Sequence, residues 1–191
     1  MTENWNNLYS LAPPETPLPA SLAFVRHARF RLQADYLVKI TQALAPLTDE
    51  QIWWRPNAAS NSIGNLLLHL AGNLRQWLIA GVGDQPDVRT RAAEFATTAT
   101  LDKQAMLAQL TETVAEAEEV LDDLAQQLAA TNSGAPLQCV IVPQGFPQTV
   151  LDAVFHVVEH FSYHTGQIVC LAKQLGGTDL RLYDEHALNQ E

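Results

Sequence analysis

Six histidines occur in the chain: His27, His69, His156, His160, His164 and His186. Three of them share one stretch, His156-Val157-Val158-Glu159-His160-Phe161-Ser162-Tyr163-His164, at successive spacings of four. On an α-helix, residues four apart lie one turn above each other, rotated by about 40° around the axis. Two imidazoles so placed can converge on one metal ion, which is why His-x-x-x-His on a helix recurs in zinc sites. Three in succession cannot all do so, because the drift reaches about 80° over two steps. One of His156 and His164 must therefore be a bystander. The row of His160 and His164 also carries Ala153, Val157, Ile168 and Leu171, so it faces a core. His156 shares its row with Asp152 and Tyr163, nearer a rim. The expected pair is His160 and His164.

A third ligand has to come from another helix, and His69 is the candidate. Its row reads Asn65, Leu66, His69, Gly72, Asn73 and Gln76. Polar groups on a helix that must still pack predict a lined cavity. Gly72 would let a facing element or a ligand approach closely. Three imidazoles suit zinc, nickel, iron or copper, with zinc or nickel expected. Three protein ligands leave a coordination position open, as in catalytic rather than structural sites. A thiol or water bound there becomes a usable nucleophile at neutral pH. Gln167, three residues beyond His164, is placed to orient a ligand or a bound water. Asn73 and Tyr163 are weaker rim candidates, and Glu159 reads as an exposed charge. No catalytic acid or base suggests itself beside the triad. The rival reading is a set of hydrogen-bonded core histidines, and His27 and His186 are ordinary on any reading.

These side chains need long helices to hold them. Residues 1–20 form a leader rich in Asn and Pro. From Ser21 the apolar residues Leu22, Val25, Phe30, Leu32, Tyr36, Leu37, Ile40 and Leu44 recur at helical spacing up to Pro46. Thr48-Asp49-Glu50-Gln51 reads as a capping box that starts a short turn through Trp53 and Trp54, both placed in the core. A second helix runs from Ser60–Ser62 to about Ala80, ended by Gly81 and Gly83. Residues 82–99 form a polar loop longer than most helix connections, which suggests that it covers something. A third helix spans Thr100 to about Ala130, with Glu112, Glu116, Glu118, Glu119, Asp122 and Asp123 on a solvated face. Leu137 to Pro143 looks extended, one edge of a small hairpin. A fourth helix runs from Gln148 to Leu175, closed by Gly176-Gly177, and a polar tail covers 178–191. Four long helices and little else imply an all-α helix bundle.

The bulk composition narrows the function classes. The chain of 191 residues suits one domain over about 21–177, and 47% hydrophobic with 17% charged residues suits a folded core. A formal net charge of −10 argues against nucleic acid and anionic membranes as partners. Cys139 and Cys170 do not form a disulfide framework, so a reducing, cytoplasmic location is expected. No secretory signal and no membrane-length apolar run is seen.

The segment His160-Phe161-Ser162-Tyr163-His164-Thr165-Gly166-Gln167-Ile168 resembles the hallmark of the DinB-like superfamily. So do Ser62-Ile63-Gly64-Asn65-Leu66-Leu67-Leu68-His69-Leu70, Trp54-Arg55-Pro56 and Gln174-Leu175-Gly176-Gly177. The resemblance covers about residues 21–177. It implies a four-helix bundle with a long crossover, and a site of His69, His160 and His164 in its core. It also implies thiol-dependent transferase or isomerase chemistry, in which the metal activates a low-molecular-weight thiol cofactor; the open metal position by itself equally allows a hydrolase whose activated water attacks a small electrophilic molecule. The alternative is a metal-binding stress-response or sensor protein without turnover. A homodimer is implied by the resemblance alone.

Overall fold

In the computed structural model, residues 18–99, 101–176 and 179–182 are described, so the leader over 1–17 and most of the tail lie outside. Helix α1 (Ala20–Phe30) runs without a break through a π-helical turn at Arg31–Tyr36 into α2 (Leu37–Leu44). Its buried residues, Val25, Ala28, Leu32, Tyr36, Ile40, Ala43 and Leu44, follow the three-and-four spacing of one core-facing stripe. The π-helical turn carries a buried acid, Asp35, held between Arg31 Nη1 and Lys39 Nζ at 2.6 Å each. Buried charge persists only when paired in this way.

The capping box expected at Thr48 is present. Gln51 N–H donates to Thr48 Oγ1, Gln51 Oε1 accepts from Thr48 N–H, and α3 (Asp49–Ile52) follows. Helix α4 (Ile63–Leu74) starts at a second box, with Ser62 as cap and Asn65 reaching back. It passes through Gly81 in π-helical form over Arg75–Val82 and stops at Gly83, whose N–H donates to Leu78 O. Helix α6 (Lys103–Thr131) is capped by Asp102 and ends on left-handed Asn132. Helix α8 (Val150–Gly176) carries the clustered histidines. Helix α4 packs against both α6 and α8, α1 packs against α6, and α2 packs against α8. The shared core centres on Leu32, Ile40, Leu70, Leu74, Leu110, Leu121, Val157, Phe161 and Ile168, all fully buried. Burying side chains of this size contributes about 1.5–3 kcal/mol each.

Several sequence expectations need correction. The supposed polar loop contains a helix, α5 (Arg91–Ala96), because Ala92, Ala93, Phe95 and Ala96 let a short turn pack on α4. The segment expected to be extended from Leu137 begins with a helical turn, α7 (Ala135–Gln138). Only β1 (Val140–Ile141) is extended there, paired antiparallel with β2 (Gln148–Thr149) in the register Val140↔Thr149 and Ile141↔Gln148. Trp53 packs on the core, but Trp54 is 42% exposed. The acidic face of α6 is not wholly solvated. Glu118 is buried and paired with Arg29, and Glu116 is paired with Arg75. Among the described residues, no helix is long and apolar enough to cross a membrane.

Candidate metal centre

The facing of α4 and α8 brings His69, His160 and His164 together, with one ligand atom of each within 4.8 Å of the others. The two helices run antiparallel here: His69 meets His160, while Asn73, one turn on, meets His156, one turn back. The ring centroids are 4.8 Å apart for His69–His160, 5.1 Å for His69–His164 and 4.5 Å for His160–His164. His69 is 6% exposed and His164 9%.

The hydrogen bonds around the rings decide which nitrogens face inward. His69 Nδ1 lies 2.8 Å from Glu94 Oε2, so Nδ1–H donates to the carboxylate and Nε2 keeps its lone pair. His164 Nδ1 lies 2.7 Å from Gln167 Oε1, an acceptor, so its Nε2 is likewise the lone-pair nitrogen. His160 Nε2 stands 3.0 Å from His69 Nε2. Two nitrogens on a tetrahedral zinc ion, each at about 2.0–2.1 Å, are roughly 3.3 Å apart. The three imidazoles could hold a single transition-metal ion, with the His69–His160 pair near that spacing and all three ligand atoms within 4.8 Å of one another. Burial pushes the His160 imidazole down to about 3, helped by the neighbouring His164, His69 and His156 rings. Burial also lowers His164, against the opposing bond to Gln167. Both rings are thereby held neutral, the form that binds metal.

Glu94 was not foreseen. It sits on α5, is 8% exposed, and both its oxygens are engaged. Arg89 Nε donates to Oε1 at 2.7 Å and Arg89 Nη2 donates to Oε2 at 3.0 Å. Burial pushes the Glu94 carboxyl up, but the bonds from His69 and Arg89 and the Arg89 charge outweigh it and hold it below the usual range. A carboxylate behind a ligating histidine fixes the tautomer and raises the basicity of the ring. The Phe95 ring packs on His69, tilted by 45° with centroids 4.8 Å apart.

The motif residues around Trp54-Arg55-Pro56 and Ser62–Asn65 hold α5 over His69. Asn65 is fully buried, and its Nδ2 donates to Glu94 O and Thr97 O at 2.9 Å each. Its Oδ1 accepts from Ser62 Oγ at 2.7 Å and from Arg55 Nη2 at 2.7 Å. Arg55 Nη2 also reaches Phe95 O at 3.1 Å. Gly72 is the second condition. A Cβ there would collide with Glu94 Oε1, and would stand 2.9 Å from Glu94 Cδ and 3.0 Å from Arg89 Nε. Of the polar row on α4, Gly72 lines a cavity of about 210 Å³ together with Arg89 and Glu94. Arg89 and Glu94 lie over the row at its His69, Gly72 and Gln76 positions. The only hint of this was the length of the 82–99 connection, since a lone Glu between Ala93 and Phe95 carries no pattern of its own.

Of the other candidates, Gln167 is engaged with His164, and Tyr163 is 65% exposed with its ring edge-on to His164. Asn73 is not at the rim but 2% exposed, against His156. His156 stays outside the triad, and Glu159 is exposed. A cavity of about 590 Å³ between Ile79–Gln85, α6 and Cys139 includes none of the three histidines.

Fold and centre together define a mainly helical protein with a three-histidine cluster able to hold a metal ion. The chain belongs to the family described as protein of unknown function (DUF1572), whose model matches residues 20–183. No curated protein matches it.

Proposed function

We propose that this is a DinB-like four-helix bundle with a long crossover, holding one divalent transition metal with His69, His160 and His164. We further propose that it attacks a small electrophile with a thiol or water, as a metal-dependent S-transferase or hydrolase. The observation that carries the reading is the convergence of three imidazoles, two of them with Nδ1 tied back to Glu94 and Gln167. A cation with three such ligands would leave a position open and lower the pKa of the thiol or water bound there. Glu94 and Gln167 orient their rings, Arg89 balances the Glu94 charge, and the Phe95 ring packs on His69.

One observation favours a second reading, a metal-binding stress or sensor protein without turnover. Both oxygens of Glu94 are committed to His69 and Arg89, so it is not a free proton acceptor. The test is a turnover assay of zinc- and nickel-loaded protein with a small thiol and an activated aryl halide. Thioether formation that disappears in His69→Ala supports the transferase reading. Rates equal to those without protein, across several thiols and hydrolysable esters, favour the second.

A further inference from the structure

Between the π-helical turn at Arg75–Val82 and α6 lies the cavity of about 590 Å³ that includes none of the three histidines. Its apolar lining is Ile79, Val82, Val120, Leu124, Ile141 and Val150. Leu124 and Val150 are buried, and Ile79, Val82 and Ile141 are half-buried against the same core. Two close approaches shape this part of the wall. A Cβ at Gly83 would stand 2.9 Å from Val120 Cγ2, and one at Gly81 would stand 3.3 Å from Ile141 Cδ1. Glycine at both positions lets the helix end seat between α6 and β1. The polar lining is of another kind, with Asp84, Glu119 and Asp123 exposed. The cavity therefore has an apolar floor and an acidic rim, and its volume falls in the range of small-molecule sites, about 300–1,000 Å³.

The rim defines the charge of an occupant. Among the described residues, the lining holds four carboxylates and no basic side chain. Glu116, Glu119 and Asp123 follow one another at spacings of three and four on α6, and Asp84 joins them from the turn after Val82, at a φ of 53° that Asp tolerates. Glu116 is committed, since its two oxygens accept from Arg75 at 2.9 and 3.1 Å. Asp84, Glu119 and Asp123 enter no ion pair among the described residues. Like charges one turn apart on a helix repel, and a cation seated among them removes that cost. We propose that this cavity binds a small organic ammonium ion with an apolar body. Its N–H groups donate to the carboxylates of Glu119, Asp123 and Asp84, and its hydrocarbon lies on the floor. A neutral molecule of the same shape gains the floor alone, and an anion is repelled by the rim. The inference does not rest on the metal-centre reading, because no residue of that centre lines the cavity.

The free thiol of Cys139, exposed and part of the lining, reports occupancy, and the exposed Cys170, on α8 and outside the lining, is the internal reference. The full chain is alkylated with neutral iodoacetamide, and the rate at each cysteine is read by peptide mass analysis. The probes are 4-phenylbutylamine, 4-phenylbutan-1-ol, 4-phenylbutanoate and butylamine. The phenyl amine should slow Cys139 and leave Cys170 unchanged. It should act at a concentration at least about tenfold below that of the alcohol, the gain expected from hydrogen bonding to a charged group, with the carboxylate weaker than the alcohol. Butylamine, which lacks the ring, should be weaker than the phenyl amine by at least about tenfold. Asp84→Asn, Glu119→Gln and Asp123→Asn together change only exposed side chains, so the core is untouched. That triple variant should bring the amine to within about twofold of the alcohol, with the alcohol unchanged. No slowing at Cys139 by the phenyl amine, or equal slowing of both cysteines, would overturn the site. Butylamine acting as well as the phenyl amine would reduce it to adventitious cation binding and overturn it too. So would equal action of amine and alcohol in the wild type, or an amine preference that survives in the triple variant.

Discussion

Gly72→Ala isolates the support behind His69 without touching a ligand. An added methyl would stand 2.9 Å from Glu94 Cδ and 3.0 Å from Arg89 Nε. Ordinary carbon contacts lie at about 3.5–4.0 Å, so the carboxylate must retreat by roughly 1 Å. Moved by that amount, the 2.8 Å bond from His69 to Glu94 is no longer a hydrogen bond. Loss of the acceptor behind a ligating histidine costs about 10–100-fold in metal affinity, or about 1.4–2.7 kcal/mol. Helix α4 itself should not suffer, since Ala is favoured over Gly in a helix interior by about 1 kcal/mol. Competition with a chromophoric chelator, using zinc at fixed pH, measures the affinity, and far-ultraviolet circular dichroism confirms the fold. Zinc affinity within twofold of wild type, with helical content intact, would refute the claim that Glu94 sets the His69 ring for metal.

Three further outcomes follow from the same geometry. His164→Ala should lose metal while keeping its helical spectrum, whereas His156→Ala should retain full metal content; the opposite pattern would show that the pair was assigned wrongly. Asn65→Ala leaves Glu94 O, Thr97 O and Arg55 without their buried partner, and should lower unfolding stability in urea by about 3 kcal/mol; a change under 1 kcal/mol would contradict the role given to it. The metal-free protein should lose stability as pH falls from about 6.5 toward 4. In that window the unfolded chain, whose imidazoles titrate near 6.5, binds a proton that His160, held at about 3, does not, and the lowering of His164 acts in the same direction. Above pH 7 these groups contribute no slope. His160→Phe should flatten the acid limb of urea midpoint against pH, and an unchanged limb would count against the burial argument.

The long helices were legible because their apolar residues repeat at three and four, and the cap at Thr48 was legible because the box is local in sequence. The convergence of His69, His160 and His164 was legible for a related reason: His160 and His164 share a row with Val157 and Ile168, so burial and the spacing of four pointed the same way. What the sequence concealed depends on contacts across chain separations of tens of residues. Glu94 reaches His69 only because Asn65 and Arg55 hold α5 down and Gly72 makes room. No local periodicity records that arrangement. The π-helical turns were equally hidden, since their sequences read as ordinary helix. Asn73 reads as a rim residue from its polarity alone, and its burial depends on its contact with His156 across the helix interface.

The central claim is met most directly by elemental analysis of the untagged protein, purified without chelator, beside His69→Ala prepared in the same way. About one equivalent of a transition metal per chain in the wild type, and little in the variant, is the expected result. No metal as isolated, and none retained after incubation with zinc or nickel, would contradict it and leave the three histidines as packed side chains of a helical core.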